Sequence, residues 1–152
     1  MNPKPLEEII EELKTRYPGI EVAESGSGSG SITVTVDQLV AFMREIKEKY
    51  HFNYLTNVTG VDYRDYFEVV YNVSIVEQPH MLHIKTRLDR HNPVVPSMVP
   101  IWGGAIWQER EVYDLLGITF EGHPDLRRIL LDDQWEGHPL RKDYQWEGGR
   151  ES

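Results

Sequence analysis

Histidine and carboxylate residues are the side chains of this 152-residue chain whose types and spacing could do chemistry. Two Gly-His-Pro triplets, at 122–124 and 137–139, lie fifteen positions apart, and Asp125 follows the first. Imidazole and carboxylate groups are ligands of zinc and iron. His123, Asp125 and His138 are therefore the candidate ligands of a free-standing metal-dependent enzyme. However, their spacing fixes no two ligands on one helix, and His-Pro is a common turn dipeptide, so this interpretation remains an alternative.

A Ser-Gly repeat from Ser25 to Ser31 has the composition of a phosphate-binding loop. Its Gly26-x-Gly28 pair has Ser31 where a third glycine would stand, and the residues after it alternate like a strand instead of opening a helix. We therefore interpret this repeat as a flexible loop without chemistry rather than as a nucleotide site.

The chain contains no cysteine. This excludes disulfides, thiol nucleophiles and every cysteine-ligated iron–sulfur cluster or zinc site. A Gly-x-Ser-x-Gly nucleophile elbow is also absent from the sequence. Any electron carrier near this protein would have to be held by another chain.

The composition indicates a globular protein, with 39% hydrophobic and 27% charged residues. The formal charge of -9 repels a phosphate backbone and argues against nucleic acid as a partner. Residues 1–12 have neither a signal-peptide core nor a transit-peptide pattern, and no apolar run approaches the ~20 residues of a membrane span. We expect a cytoplasmic protein that touches a membrane only through its partners.

Hydrophobic periodicity predicts the elements that position these side chains. Helical spacing over residues 6–17 ends at Pro18-Gly19, and short strands are predicted at 20–23 and 32–36. Asp37 is predicted to be the N-cap of a second helix that continues to residue 50.

Three further strands are predicted at 54–61, 67–75 and 82–88, and the last two alternate cleanly between apolar and polar residues. The order helix, two strands, helix, three strands indicates the α+β class: a mixed sheet of about five strands with helices packed on one face. Residues 89–104 contain three prolines and are predicted to be an irregular crossing loop. A short helix is predicted at 105–116, with Gly117 at its C-terminus.

A helical wheel places Glu109 within the apolar arc of this last helix, together with Val112 and Leu116. A carboxylate on a packed face must be paired or protonated, because an unpaired buried charge is strongly destabilising. We expect Glu109 to pair with an arginine of the same chain. The alternative is that Glu109 or Glu111 receives an arginine from a partner subunit.

The sequence beyond Gly117 shows no strong periodicity. This predicts an α+β domain at 1–117 and an extended partner-binding tail at 118–152, mobile by itself, with tryptophans as apolar anchors. Arg127 and Arg128 are adjacent, so in an extended chain they point to opposite sides. We expect one of them to pair internally, with Glu109 as the candidate, and the other to reach a partner.

Residues 107–144 resemble the 30-kilodalton subunit family of respiratory complex I, whose bacterial members are the C subunits of NADH:quinone oxidoreductase. The resemblance rests on Glu-Arg-Glu-Val-Tyr-Asp-Leu-Leu-Gly-Ile at 109–118, Gly-His-Pro-Asp-Leu-Arg-Arg-Ile-Leu at 122–130 and Trp-Glu-Gly-His-Pro-Leu-Arg-Lys-Asp-Tyr at 135–144. The signature residues that it assigns to partner contacts are Glu109, Arg110, Glu111, Asp114, His123, Asp125, Arg127, Arg128, Trp135, His138, Arg141, Lys142 and Asp143.

The resemblance implies a structural subunit of the peripheral arm of a proton-pumping NADH:quinone oxidoreductase, at the cytoplasmic face of the cell membrane. It implies no catalytic residue, metal or cofactor in this chain; FMN, iron–sulfur clusters and quinone would be bound by other subunits. The implied partners are chiefly the large quinone-site subunit and the small subunit that carries the terminal cluster. An accessory subunit does not identify the electron donor, so the equivalent subunit of a membrane-bound hydrogenase or formate hydrogenlyase is an alternative.

Overall fold

The computed structural model describes residues 4–24, 29–75, 80–131 and 135–144. These residues form three helices and seven strands. In chain order they are α1 (Leu6–Arg16), β1 (Glu21–Glu24), β2 (Ser29–Thr33), α2 (Val36–Glu48), β3 (Tyr54–Asp62), β4 (Tyr66–Ser74), β5 (Met81–Asp89), β6 (Val94–Pro96), α3 (Ala105–Leu116) and β7 (Thr119–Glu121).

Five strands form one mixed sheet in the order β1-β2-β5-β4-β3. β2 pairs with β5 in parallel, whereas the other neighbours are antiparallel. β6 and β7 form a separate parallel pair. The predicted α+β class with a mixed five-stranded sheet is therefore confirmed.

One face of the sheet carries the core. Alternate residues of β4 and β5 are buried on this face, as the period of two requires; they include Phe67, Val69, Tyr71, Val73, Leu82, Ile84 and Leu88. The opposite face is polar at its centre, where Asn72 bonds His83 and Glu68 pairs with Arg87.

The helices cover the apolar face. α1 buries Leu6, Ile9, Ile10 and Leu13 at helical spacing, and a side-chain carbon of Ile10 lies near Gly30 of β2. α2 buries Leu39, Phe42, Met43 and Ile46 in the same way. α3 packs on β3, where Gly60 lies beneath Val112 and Leu116. No helix in the described part of the chain is long and apolar enough to span a bilayer.

Two predictions about the first half of the chain are wrong. Ser29 to Ser31 do not belong to a loop: they pair with β5, and β2 ends at Thr33. The rest of that repeat, residues 25–28, lies outside the described residues. The residue before α2 is Thr35 rather than Asp37, which lies in the first turn, where its charge is favourable to the helix dipole.

Sequence periodicity also missed the pair β6–β7. Residues 94–96 lie inside the predicted crossing loop, and residues 119–121 lie inside the predicted tail. Ile118 and Phe120 are buried in the core, so packing continues past the predicted boundary at Gly117. Gly117 itself ends α3 in the left-handed conformation, with φ 79°, as predicted.

Close packing of α3 on β3 makes Gly60 a position that tolerates no side chain. A Cβ there would lie 2.6 Å from Leu116 Cδ1 and 2.9 Å from Val112 Cγ1. We expect Gly60→Ala to lower the free energy of unfolding by about 1–3 kcal/mol because the side chains of Val112 and Leu116 must shift from their packed positions, as measured by urea denaturation. Gly103→Ala, where a Cβ meets nothing within 4 Å, is the control. Equal stability of the two variants would contradict this packing.

Candidate partner-binding site

The signature residues gather along the outer side of α3. Trp107, Arg110 and Asp114 lie three and four positions apart and therefore share one side of the helix. The C-terminal segment, which we define as residues 122–131 and 135–144, runs beside them. The side chain of its His123 contacts the Ile106 carbonyl at the start of α3. Its backbone then follows the helix past Arg110 to Asp114 and Leu115.

Asp114 is the centre of this arrangement. It is fully buried, and its Oδ1 accepts a hydrogen bond from Arg128 Nη1 at 2.6 Å. Its Oδ2 accepts the backbone N–H groups of Ile129, Leu130 and Leu131 at 3.1, 2.7 and 2.9 Å. Burial acts to raise the pKa of this carboxyl, but these hydrogen bonds outweigh burial and lower it. Asp114 is thus held as a carboxylate, and it fixes the backbone that follows Arg128.

Arg110 holds the preceding turn. Its guanidinium donates to the carbonyl oxygens of Arg127 at 3.0 Å and Arg128 at 2.9 Å. It also lies 3.8 Å from Asp125 and 5.0 Å from the centre of the Trp107 ring. This buried arginine therefore fixes both the C-terminal segment and an exposed aromatic side chain.

The two histidines bind backbone groups. His123 Nε2 donates to Ile106 O at 2.9 Å, and its Nδ1 accepts the Asp125 N–H at 2.9 Å. His138 Nδ1 lies 2.9 Å from the Asp114 carbonyl, with its ring against Gly117. The described residues contain no group of three His, Asp or Glu side chains that could hold a metal ion. His123, Asp125 and His138 are not brought together as the metal-enzyme alternative requires.

A second buried carboxylate, Asp62, holds the other end of the segment. It accepts both arms of the Arg90 guanidinium and the backbone N–H groups of Lys142 and Arg64, the two amides each at 2.7 Å. Asp143 lies 3.3 Å from Arg90 and 2.9 Å from Arg141. Burial acts to raise the pKa of Asp62, but these hydrogen bonds lower it to about 2.

Glu109 pairs with none of the arginines that the structure describes. It is fully buried, and its carboxyl oxygens lie 2.7 Å from Ser97 Oγ and 2.7 Å from the Met98 backbone nitrogen. Burial raises its pKa, and these two hydrogen bonds offset the rise only in part. The expected internal pair is therefore wrong, because neither Arg127 nor Arg128 is the partner of Glu109. The alternative of an arginine from a partner subunit stays a prediction, although Glu109 is buried. Glu111 is exposed.

The remaining signature residues divide into internal and exposed groups. Arg128 is internal, as expected for one of the adjacent arginines, whereas the Arg127 side chain is 66% exposed and pairs with Asp125. Lys142, Asp143 and Trp135 are also exposed. Sequence reasoning missed Asp62 and Arg90. The burial of Asp62 could have been predicted from the sequence, because this residue continues the alternation of period two from Val58 and Gly60 and so falls on the core face.

The fold and the site define an α+β domain whose charged residues mainly anchor its own C-terminal segment. The model of the family described as respiratory-chain NADH dehydrogenase, 30 Kd subunit, matches residues 32–150. The C subunit of the NADH-quinone oxidoreductase of Moorella thermoacetica is 45% identical over 148 residues, which cover 95% of this chain and 99% of that protein. The C subunit of the same enzyme from Trichlorobacter lovleyi is 42% identical over 149 residues, covering 93% and 91%.

Solved structures similar to this chain include the following two. Nqo5, solved as a trypsin-resistant fragment (1-134), has a TM-score of 0.71 and 31% identity over 80% of this chain and 98% of that one. A chain of the membrane-bound sulfane sulfur reductase, an archaeal respiratory membrane complex, has a TM-score of 0.80 and 29% identity over 91% and 85%. The chain belongs to the 30-kilodalton subunit family of the respiratory-chain NADH dehydrogenase.

The adjacent arginines should differ in their effect on stability. Arg128→Ala removes the cation beside the fully buried Asp114 carboxylate and should lower the free energy of unfolding by about 3 kcal/mol. Arg127→Ala removes an exposed pair and should change it by less than about 1 kcal/mol. Urea denaturation of the two variants measures the difference. Equal losses of unfolding free energy in the two variants would show that the buried Asp114 carboxylate does not need the Arg128 cation.

The lowered pKa of Asp62 predicts loss of stability in acid. The folded pKa of about 2 lies below the ordinary 3.8, so the folded state favours the carboxylate. Its contribution is complete above about pH 4 and is lost as the pH falls toward 2. The stability difference between the unmodified chain and Asp62→Asn, followed by urea denaturation at several pH values, should narrow across that interval. A difference independent of pH would refute the assignment.

Proposed function

We propose that this chain is a structural subunit of the peripheral arm of a proton-pumping NADH:quinone oxidoreductase. The observation that carries the proposal is its similarity over nearly the whole chain to proteins named as the C subunit of NADH-quinone oxidoreductase. The proposed contribution of this chain is to assemble and position its neighbours, while FMN, iron–sulfur clusters and quinone are bound by other subunits. It has no catalytic residue of its own in this proposal.

The use of the charged signature residues supports a structural role. Asp114, Arg110 and Arg128 bond one another's backbone or side-chain groups within this chain, and Asp62 bonds Arg90 and Lys142. A catalytic acid or base must reach a substrate, whereas these groups are occupied by internal donors and acceptors. The absence of cysteine from the sequence also means that an iron–sulfur cluster would need ligands from another chain.

The proposed partners are chiefly the large quinone-site subunit and the small subunit with the terminal cluster. In this proposal the chain lies at the cytoplasmic face of the membrane and is held there through those subunits. The exposed charged residues of the C-terminal segment, among them Arg127 and Lys142, support contact with a protein surface, since arginine in particular binds carboxylates through paired hydrogen bonds.

A second candidate is the equivalent subunit of a different membrane-bound respiratory complex. The likeness to a chain of the sulfane sulfur reductase, with a TM-score of 0.80, favours this candidate. A hydrogenase or formate hydrogenlyase falls in the same class. The subunits that co-purify with the tagged chain distinguish the candidates: a flavin subunit that oxidises NADH belongs only to the first.

The proposed function predicts a protein without electron carriers. The isolated chain should contain no stoichiometric flavin or iron and should not oxidise NADH, whereas membranes lacking it should lose NADH:quinone reductase activity that returns when the chain is supplied. Visible absorption, metal analysis and membrane activity assays measure these results. Stoichiometric iron or flavin in the isolated chain, or unchanged membrane activity without it, would refute the proposal.

A further inference from the structure

Exposed apolar side chains are concentrated on one part of this molecule. Within the described residues, the large hydrophobic side chains that remain exposed are Tyr54, Tyr63, Met81, Trp107, Leu130, Trp135 and Leu140. Four of these seven lie on α3 or on the C-terminal segment. Trp107 is 57% exposed, and Leu130 and Leu140 are each 58% exposed. Apolar groups at such exposure are characteristic of protein-binding surfaces when they lie together.

Hydrogen bonds place the backbone of Leu130 and Leu140 beside the C-terminal end of α3, and Trp107 belongs to the other end of the same helix. Trp107 lies in the first turn of the helix. The Leu130 N–H bonds Asp114 Oδ2 at 2.7 Å, and the Leu140 N–H bonds the Leu115 carbonyl at 2.9 Å. Trp107 and Leu115 are eight residues apart, which is about 12 Å along a helix. Trp107 and the backbone of the two leucines therefore mark a line of about that length along α3.

This line is held rigidly by buried polar groups. The Arg110 guanidinium lies against the Trp107 ring, and the Asp114 carboxylate binds three consecutive amides around Leu130. A surface that is already ordered loses little conformational entropy on binding. Exposed polar residues, including Glu111, Asp125 and Arg127, lie beside it. An apolar centre with a polar rim is the usual composition of a protein interface.

We propose that Trp107, Leu130 and Leu140, here termed the α3 surface, are the docking surface for another subunit of the same respiratory complex. This inference rests on the proposed function, because it takes the occupant from the multisubunit assembly. The occupant presents an apolar patch to the leucines and a carboxylate to Arg127. This arginine lies three residues before Leu130, and its side chain is 66% exposed and pairs with the exposed Asp125.

The net charge argues against a second copy of this chain as the occupant. Two molecules of formal charge -9 repel each other over their whole surfaces. The apolar line is also short, so a symmetric pair would gain little area to offset that repulsion. A partner of different charge meets neither objection.

Site-specific photo-crosslinking tests the proposal in the assembled complex. A benzophenone amino acid replaces Leu130 or Leu140 in the tagged full chain, and Tyr54 or Met81 in matched controls. Tyr54 is 54% exposed and belongs to the opposite, open face of the sheet. After irradiation of cells that contain the whole complex, mass spectrometry identifies the joined protein. We expect Leu130 and Leu140 to join one other subunit of the complex and the controls to join it at least tenfold less.

Each alternative outcome overturns the proposal. Crosslinks to a second copy of this chain would make the α3 surface a self-association site. Crosslinks to another subunit only from Tyr54 and Met81 would move the interface to the open face of the sheet. No crosslink from Leu130 or Leu140, in cells where the chain co-purifies with the complex, would leave the α3 surface unoccupied. In the last two cases the proposed function stands, whereas failure of the unsubstituted chain to co-purify contradicts the function itself.

A double variant adds a quantitative measurement. Leu130→Ser/Leu140→Ser should lower the yield of co-purified complex by about tenfold or more, since truncating two side chains at the centre of an interface costs that much or more. Tyr54→Ser/Met81→Ser is the matched control and should leave the yield unchanged. Both double variants should melt near the unmodified chain, because the four side chains are exposed. Equal yields would contradict the proposal.

Discussion

The buried carboxylate of Asp114 is the interaction on which the second half of this structure depends. A charge with no exposure to solvent is stable only when its oxygens are satisfied, and here one guanidinium and three amides satisfy them. All four donors come from residues 128–131, so these hydrogen bonds fix the position of this part of the chain against α3. The carbonyl of the same residue also accepts Arg128 and His138. A single residue of α3 thereby positions two separate parts of the C-terminal segment.

Asp62 is the second buried carboxylate, and it anchors the other end of the C-terminal segment. It lies on the core side of β3, where an apolar residue would be expected, and it binds the amide of Lys142, eighty positions later in the chain. The guanidiniums of Arg90 and Arg141 lie 4.9 and 5.0 Å from the Phe67 ring, which joins this ionic cluster to the apolar core. The C-terminal segment is thus held at two carboxylates.

The sequence predicted the elements whose pattern is local. The alternation of β4 and β5 and the helical spacing of α1 and α2 follow from period alone, and the fold class followed from their order. The sequence did not predict β6 and β7, because each strand has only three residues and α3 separates the two strands along the chain. Nor did it predict the partners of Glu109, since a hydroxyl and a backbone amide leave no recognisable sequence signal. The signature contains Asp114, Arg110 and Arg128, but the inward direction of their side chains required the structure.

The anchoring of the C-terminal segment also has an effect while the chain is being synthesised. Domains form from the N-terminus during translation, so α3 is complete before the residues that cover its outer side have left the ribosome. An interrupted chain ending before Arg128 would therefore leave Asp114 without its cation and would lack both leucines of the α3 surface. In the proposed docking, such a fragment would lack the part of the surface that binds the neighbouring subunit, so only the completed chain would enter the complex.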